Sequence, residues 1–560
     1  MKAGAIALLV GRLKMASPRA PQRSGRSGPF DVFSPQGRLM NRVSLSRLCL
    51  ALLLPLSLAC TGCGNSKSDP AASAGGATGA AGTGSSSGES GGASVASGGG
   101  PTGGAALGGA AAAGGAVSEI AAGGVTWHEH IAPLVSEKCA GCHREGGIAP
   151  FALTSYDPAY QFALPMAEAI QSGAMPPWGA QETDECTPPA QFRDDVSLSE
   201  HEKELFARWV EDGRLEGDAQ LAAEIPAPVD LELKDPSLQL TIPSAVSVEG
   251  VSDQFVCFVL DPELDEPAWL TSTQVEAGNP AIVHHALVYL DSDGSSDDLV
   301  DENGRYDCFG GPRIGNPTLL AAWAPGAVPS SLPQDVGIAL APGAKLVLQV
   351  HYHPTGDGVE VDDSTQVSLK WTSDEPDYVG AIYLIGNIDI ENWERAGGEG
   401  YGLTTGPDFL IPAGASGHVE ENRFRINDQG LALVRSIPLH LWMVGTHMHY
   451  VGTDMKLSVT SPDDEEQCLL QTPEWDFNWQ RGYFFEGEIE ELPQLHPGDS
   501  LSMRCTYDNT LDNPFVREAL DDQGLSEPTD VELGEETLDE MCLGIFGIAV
   551  DKDLASLLQF

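Results

Sequence analysis

The chain runs to 560 residues, more than a single compact core holds, so two to four folding units are expected. Lys and Arg number 30 against 81 Asp and Glu, a net charge of −51, and nine of the basic but only one of the acidic side chains lie in the first 60 residues. An acidic body of this kind repels phosphate backbones and anionic headgroups, which excludes nucleic-acid binding and electrostatic membrane docking; 42% hydrophobic residues exclude wholesale disorder.

Leu48 to Ala59, LCLALLLPLSLA, is the most apolar stretch, and its twelve residues fall short of the roughly 20 that cross a bilayer. With the basic segment Met40 to Arg47 before it and Ala59 at the cut, it reads as a signal peptide within a leader over residues 1–60, translated from Met40. LSLAC resembles a bacterial lipoprotein cleavage box with Cys60 as the acylated residue, although Ser57 stands where that pattern prefers Leu and Cys63 is a second candidate. The expectation is an exported protein, periplasmic or on the cell surface, anchored by lipid to the outer membrane and monomeric.

Residues 61–124 are almost entirely Gly, Ala and Ser and cannot bury enough surface to offset backbone entropy. They form a tether with a root-mean-square span of roughly 45 Å. Residues 125–223 carry short helical patterns, including SLSEHEKELFARWVEDG, where Ser197 or Ser199 caps and Leu205, Phe206, Trp209 and Val210 share a face. Beyond Pro226 the texture becomes alternating strands broken by Gly, Pro, Asp and Asn, as in AIVHHALVYLD and AKLVLQVHYHP. A small all-α domain followed by two all-β sandwich domains, residues 226–400 and 401–560, is the expected fold, with the boundary between Asn387 and Ala413.

Cys139, Cys142 and His143 form CAGCH, the spacing at which two thiols bond haem vinyl groups and the adjacent imidazole ligates iron. A redox or zinc CxxC is the bland alternative, but no second thiol pair lies nearby to complete a zinc site. Met175, in GAMPPW, is the expected sixth ligand; Met166 lies in an apolar helical run and reads as core, and His128 and His130 read as surface. CAGCH, GGIAPFALTSY, MPPW and the closing helix with Trp209 together resemble small class I type cytochrome c modules over about 95 residues.

Six of the 13 histidines occur as three clusters: His284 with His285, His351 with His353, and His447 with His449. Two residues apart, His447 and His449 project from one face of a strand, as a shared metal requires, whereas adjacent His284 and His285 share a face only at a bulge or strand end. HHALVYL, LQVHYHP, GTHMHYVG and DEMC, in that order, resemble the type II copper monooxygenases, the family of the peptidylglycine α-hydroxylating and dopamine β-monooxygenases, over roughly residues 240–550. The resemblance implies two jelly-roll β-sandwich domains, each with one copper. His284, His285 and His351 match the electron-transfer copper, and His447, His449 and Met541 match the oxygen-binding copper. Imidazole suits both copper oxidation states, and a thioether favours the reduced one. The resemblance also implies the disulfides Cys257 with Cys308 and Cys505 with Cys542, and leaves Cys186 and Cys468 unassigned. His353 is at best a supporting residue, His440 reads as packing, and His418 and His496 read as surface.

In that family one oxygen atom of O2 enters an aliphatic C–H bond of a small-molecule substrate, at the cost of two electrons. With a haem module on the same chain, electrons are expected to pass from haem to the electron-transfer copper, an intramolecular encounter set by the tether. The external electron donor is left open. The peptide-amidating enzymes hold a substrate carboxylate with Arg, Asn and Tyr at positions that are Gly445, Leu543 and Ile545 here, so a neutral or hydrophobic substrate is expected instead. Trp475, Phe477, Trp479 and Tyr483, in PEWDFNWQRGYFF, read first as core and second as pocket lining. The rival reading is a surface electron-transfer or copper-binding lipoprotein without oxygenase activity.

Overall fold

The computed structural model describes residues 124–250, 252–356, 358–387, 393–395, 399–400, 409–426, 437–534 and 538–558. The leader with Met40, the candidate acylation sites Cys60 and Cys63, and the tether lie outside the described residues. The chain divides into residues 1–108 and residues 109–560, and all that follows concerns the second unit.

Helices Ala132–Lys138, Tyr156–Gln171 and Glu200–Glu211 gather around Trp127, Ile131, Leu153, Phe206 and Trp209. Ser199 caps the third helix: its hydroxyl accepts from the Glu202 backbone while the Glu202 carboxylate accepts from the Ser199 N–H, satisfying two donors that a bare helix end would strand. Met166 lies inside this core. The sequence reading of His130 as a surface residue is corrected: it is buried, and its Nδ1 accepts from the Thr126 N–H at 3.2 Å. Its neighbours Trp127 and Ile131 carry it inward in the helical turn Trp127–Ile131. Among the described residues no helix is long and apolar enough to cross a membrane.

After Pro226 the chain is largely β-sheet, loosely sandwich-like. Two separate sandwiches are the sequence expectation, but one sheet runs through both halves. In it Gln254–Leu260, Lys345–Tyr352, Val283–Asp291, Thr318–Trp323, Tyr378–Gly386, Leu543–Asp551 and Leu439–His447 lie side by side. The halves join along Tyr378–Gly386 and Leu543–Asp551, which pair over nine residues, whereas Thr318–Trp323 and Tyr378–Gly386 share the single pair Leu319 with Ile382. A second sheet, centred on Ser416–Arg425, Ser500–Asp508, Gly452–Thr460 and Glu466–Thr472, belongs to the C-terminal half.

The helical module is tied to the C-terminal half. Cys186 is bonded to Cys468, the Gln181 N–H donates to the Gln471 carbonyl at 3.1 Å, and the Arg193 N–H donates to the Phe484 carbonyl at 2.7 Å. Phe192 stacks on Phe485 and Trp178 meets Tyr483 edge-on. The pairs Cys257 with Cys308 and Cys505 with Cys542 are bonded too, leaving Cys139 and Cys142 as the free thiols among the described residues.

Candidate metal centres

His284 and His285 reach one point because the sheet is bulged there. His351 pairs with His285 and Tyr352 with Val283, so His284 is the extra residue of its strand, turned from the alternation that would send it to the opposite face. The three Nδ1 atoms converge: His284 to His285 is 3.1 Å and His285 to His351 is 3.2 Å. Metal–nitrogen bonds of about 2.0–2.1 Å at tetrahedral or square angles place ligand nitrogens about 2.9–3.4 Å apart, so this spacing fits one bound ion. Burial, and then mutual repulsion with His351, holds His284 and His285 well below the ordinary imidazole pKa, leaving lone pairs free for a metal.

The outer side of this cluster is supported by a residue with no sequence signal. Asp253 Oδ1 lies 3.3 Å from His351 Nε2 and 2.7 Å from His353 Nδ1, so His353 braces the carboxylate behind His351. Phe255 stacks on the His351 ring at 4.3 Å, and Phe477 on the His284 ring at 4.4 Å.

His447 ends the strand Leu439–His447, and His449 follows in the turn. Both present Nε2 because Nδ1 is taken. His447 Nδ1 donates to Gln480 Oε1 at 2.5 Å, and His449 Nδ1 donates to the Asp539 carbonyl at 3.0 Å. The Gln480 amide is oriented in turn by donation to the Phe477 carbonyl at 3.0 Å. Burial pushes His447 down to about 4 and His449 down to about 3, the latter helped by repulsion from His447. Met541 joins them in the lining of one cavity. The buried Glu540 carboxylate accepts from the backbone N–H of His449 and, at 2.7 Å, from that of Met541, so the two ligand-bearing segments are held through one side chain. Burial pushes its own pKa up to about 8.

This cavity, of about 280 Å³, opens between the halves and is bordered by both histidine groups. Its remaining wall is mostly apolar, with Leu287, Trp323, Leu384, Leu543 and Ile545 prominent. At Gly445 a β-carbon would meet both Ile545 and the Arg481 carbonyl at 3.3 Å, so any side chain there requires its neighbours to shift by a few tenths of an ångström. Trp475, Phe477 and Tyr483 are buried, and Phe477 is the one that touches a candidate ligand ring. His440 is buried against Tyr378, while His418 meets Glu420 at 2.9 Å and His496 is exposed at the surface.

In the helical module His143 Nδ1 donates to the Phe151 carbonyl at 3.0 Å, which leaves Nε2 as the free ligand nitrogen. Phe151 packs on the His143 ring and stacks on Phe162. Burial pushes the Cys139 thiol up to about 12; burial also raises Cys142, with the Arg481 charge opposing it. Two unpaired thiols and an oriented imidazole fit the attachment of a c-type haem. Met175 is half-buried, just beyond the second helix, with its N–H on the Ala169 carbonyl at 3.1 Å.

Residues 402–545 match the family described as copper type II ascorbate-dependent monooxygenase, C-terminal domain. This stretch is similar to the C-terminal domain of the copper monooxygenases. Similar proteins include human DBH-like monooxygenase protein 1, 25% identical over 249 residues, which make up 42% of this chain and 36% of the relative. Xenopus laevis peptidyl-glycine alpha-amidating monooxygenase A is 28% identical over 278 residues, 49% of this chain and 25% of that protein. Human dopamine beta-hydroxylase is 26% identical over 250 residues, 43% and 36%. The match thus spans about a third or less of each relative's length. Among solved structures, the major capsid protein P2 of bacteriophage PM2 aligns with 56% of this chain and 97% of its own at a TM-score of 0.23 and 8% identity, too distant to bear on function. At the level of the family, the histidine cluster is a copper monooxygenase-like site.

Proposed function

We propose that the protein is a copper-dependent monooxygenase that inserts one atom of dioxygen into a C–H bond of a neutral or hydrophobic small molecule, with electrons supplied through a fused c-type haem. His284, His285 and His351 hold one copper; His447, His449 and Met541 hold the second. Cys139, Cys142, His143 and Met175 hold the haem. The reading places the cytochrome in residues 125–223 and the two copper domains in residues 226–400 and 401–560, exported and lipid-anchored by way of residues 1–124.

The observation that carries this reading is the convergence of the His284, His285 and His351 Nδ1 atoms beside a cavity that His285 lines together with His447, His449 and Met541. Copper bound there supplies one-electron chemistry and the activation of dioxygen. The protein's own residues set the rest. Gln480 and the Asp539 carbonyl fix the tautomers of His447 and His449 so that Nε2 faces the cavity. Leu384, Leu543 and Ile545 give a substrate apolar contact, and with Gly445 they provide no carboxylate-binding group at those positions.

The test is oxygen uptake by purified, copper-loaded protein across a panel of neutral hydrophobic compounds, with product formed in step with oxygen consumed. About two coppers and one covalent haem per chain are expected. Copper binding without any substrate-coupled oxygen uptake would instead favour an electron-transfer or copper-binding protein.

A further inference from the structure

Residues 475–480 form a tight turn, and their types make it one. The Asp476 carbonyl accepts from the Trp479 N–H at 3.0 Å, and the Asp476 carboxylate accepts from the Asn478 N–H at 2.9 Å, the two bonds by which an aspartate closes a turn on itself. The turn is fixed to the C-terminal half at both ends. At one end the Trp475 N–H donates to the Thr453 carbonyl at 2.9 Å and the indole Nε1 donates to the His449 carbonyl at 3.1 Å. At the other, Gln480 donates to the Phe477 carbonyl at 3.0 Å and accepts from His447 Nδ1. Phe477, at the corner, reaches across to the other half. Its buried ring stacks on His284 at 4.4 Å with 19° between the planes, while Tyr450 lies against it at 4.1 Å and His449 meets it edge-on at 6.2 Å. Trp479 makes a second crossing. It fills the space beside Gly326, where a β-carbon would stand 3.2 Å from the indole and where a φ of +79° favours glycine.

We propose that residues 475–480 are a strap that fixes the separation of the two metal groups, with Phe477 as the positioning residue that spans it. The inference rests on the function proposed above. Three of the five candidate imidazole ligands are touched by this one turn: His284 by the Phe477 ring, His449 by Trp475 and by the Phe477 ring edge, and His447 by Gln480. A turn closed by two hydrogen bonds keeps these contacts at a fixed spacing. Any shift of one half against the other must therefore break the stack on His284 or draw Gln480 from His447. An apolar ring suits the place. It holds the plane of an imidazole face-on and offers copper no competing ligand atom, and it leaves His284 Nδ1 turned toward His285 at 3.1 Å. A leucine fills similar space without fixing that plane. The gap held in this way is the distance an electron covers between the two groups, and the His285 and His447 rings, 6.2 Å apart, face each other across it.

The test reads the separation and not the activity. Fully oxidised, copper-loaded protein is examined by paramagnetic resonance at half field, where the intensity falls steeply as two cupric ions move apart, and copper content is measured on the same samples. Phe477→Leu and Trp479→Ala are each expected to weaken the half-field transition, and the double variant to lose it, with both coppers retained. Trp479 is only half-buried, so its variant tests the second crossing without opening the core. Phe485→Leu removes a buried ring of the same half that stacks on Phe192, and is expected to leave the transition unchanged. A transition of full strength in the double variant, its absence from doubly loaded unmodified protein, or an equal loss in Phe485→Leu overturns the strap and leaves the proposed function standing. Loss of copper from either group in Phe477→Leu overturns it too, because the ring would then serve affinity and not separation. Unmodified protein that never binds a second copper overturns the function, and the strap with it.

Discussion

The rings of His285 and His447 stand 6.2 Å apart, edge to face, although three strands separate theirs in the sheet. Four steps across a flat sheet would put them about 19 Å apart. The sheet therefore curls sharply, and the thin junction between Thr318–Trp323 and Tyr378–Gly386, a single residue pair, marks where pairing gives way. The two candidate centres thus share one cavity, and their ligand rings are direct neighbours.

This proximity predicts a magnetic signature. Two cupric ions held by adjoining rings interact through space, so the fully oxidised, doubly loaded protein should show broadened resonance and a weak half-field transition. His351→Ala should leave a single unbroadened cupric signal. Two additive, independent signals in the loaded protein would show that the centres stand further apart in solution.

Asp253 yields a second prediction. Its carboxylate lies 3.3 Å from His351 Nε2 and is braced by His353, so a negative charge stands directly behind a candidate ligand ring. Asp253→Asn keeps the shape and removes the charge, and should weaken copper at His284, His285 and His351 by about 10–100-fold. Competition with a chelator measures this, and copper at His447 and His449 serves as the internal reference. Equal affinity in the variant would make the contact incidental.

Much of the site is legible in the sequence because its parts are local. Two residues of spacing bring the His447 and His449 rings within 5.2 Å, although the strand ends at His447 and His449 lies beyond it, and the adjacency of His284 and His285 demands a bulge, which the register with His351 and Tyr352 contains. What escapes the sequence is tertiary. Asp253 is nearly a hundred residues from His351, and no pattern links Gln480 to His447. Phe477 reads equally as core and as lining until its ring is seen stacked on His284. Cys186 and Cys468 have no spacing that identifies them as partners, and the sheet that passes through both halves depends on pairings between Tyr378–Gly386 and Leu543–Asp551 that local alternation does not encode.

The Cys186 to Cys468 bond predicts that the helical module loosens when it is lost. It closes a sequence separation of 282 residues and anchors the segment whose backbone meets Gln471 and Phe484. Cys186→Ser combined with Cys468→Ser should cost about 2–5 kcal/mol, the usual range for removing a native bridge. Cleavage between residues 172 and 198 under limited proteolysis should become faster, with the copper domains surviving longer. Unaltered protection of that segment would show that the aromatic contacts of Trp178 and Phe192 suffice.

His440 gives the stability of the folded chain a pH dependence remote from both metal groups. Its ring is buried against Tyr378, and among the described residues its Nδ1 has no hydrogen-bond partner. Burial holds its pKa below the ordinary imidazole value; His496 adds to this, while Glu490 and the Ile489 carbonyl oppose it. Below about pH 6.5 the unfolded chain therefore binds a proton that the folded chain refuses, and stability falls as the pH drops from there toward the lowered folded value. Above pH 6.5 both states are neutral and the effect vanishes. His440→Phe keeps the ring packing and removes the proton site. Urea midpoints measured between pH 7.5 and pH 5 at fixed copper loading should fall less steeply for the variant than for the unmodified protein, and parallel curves would show that His440 does not titrate in this range.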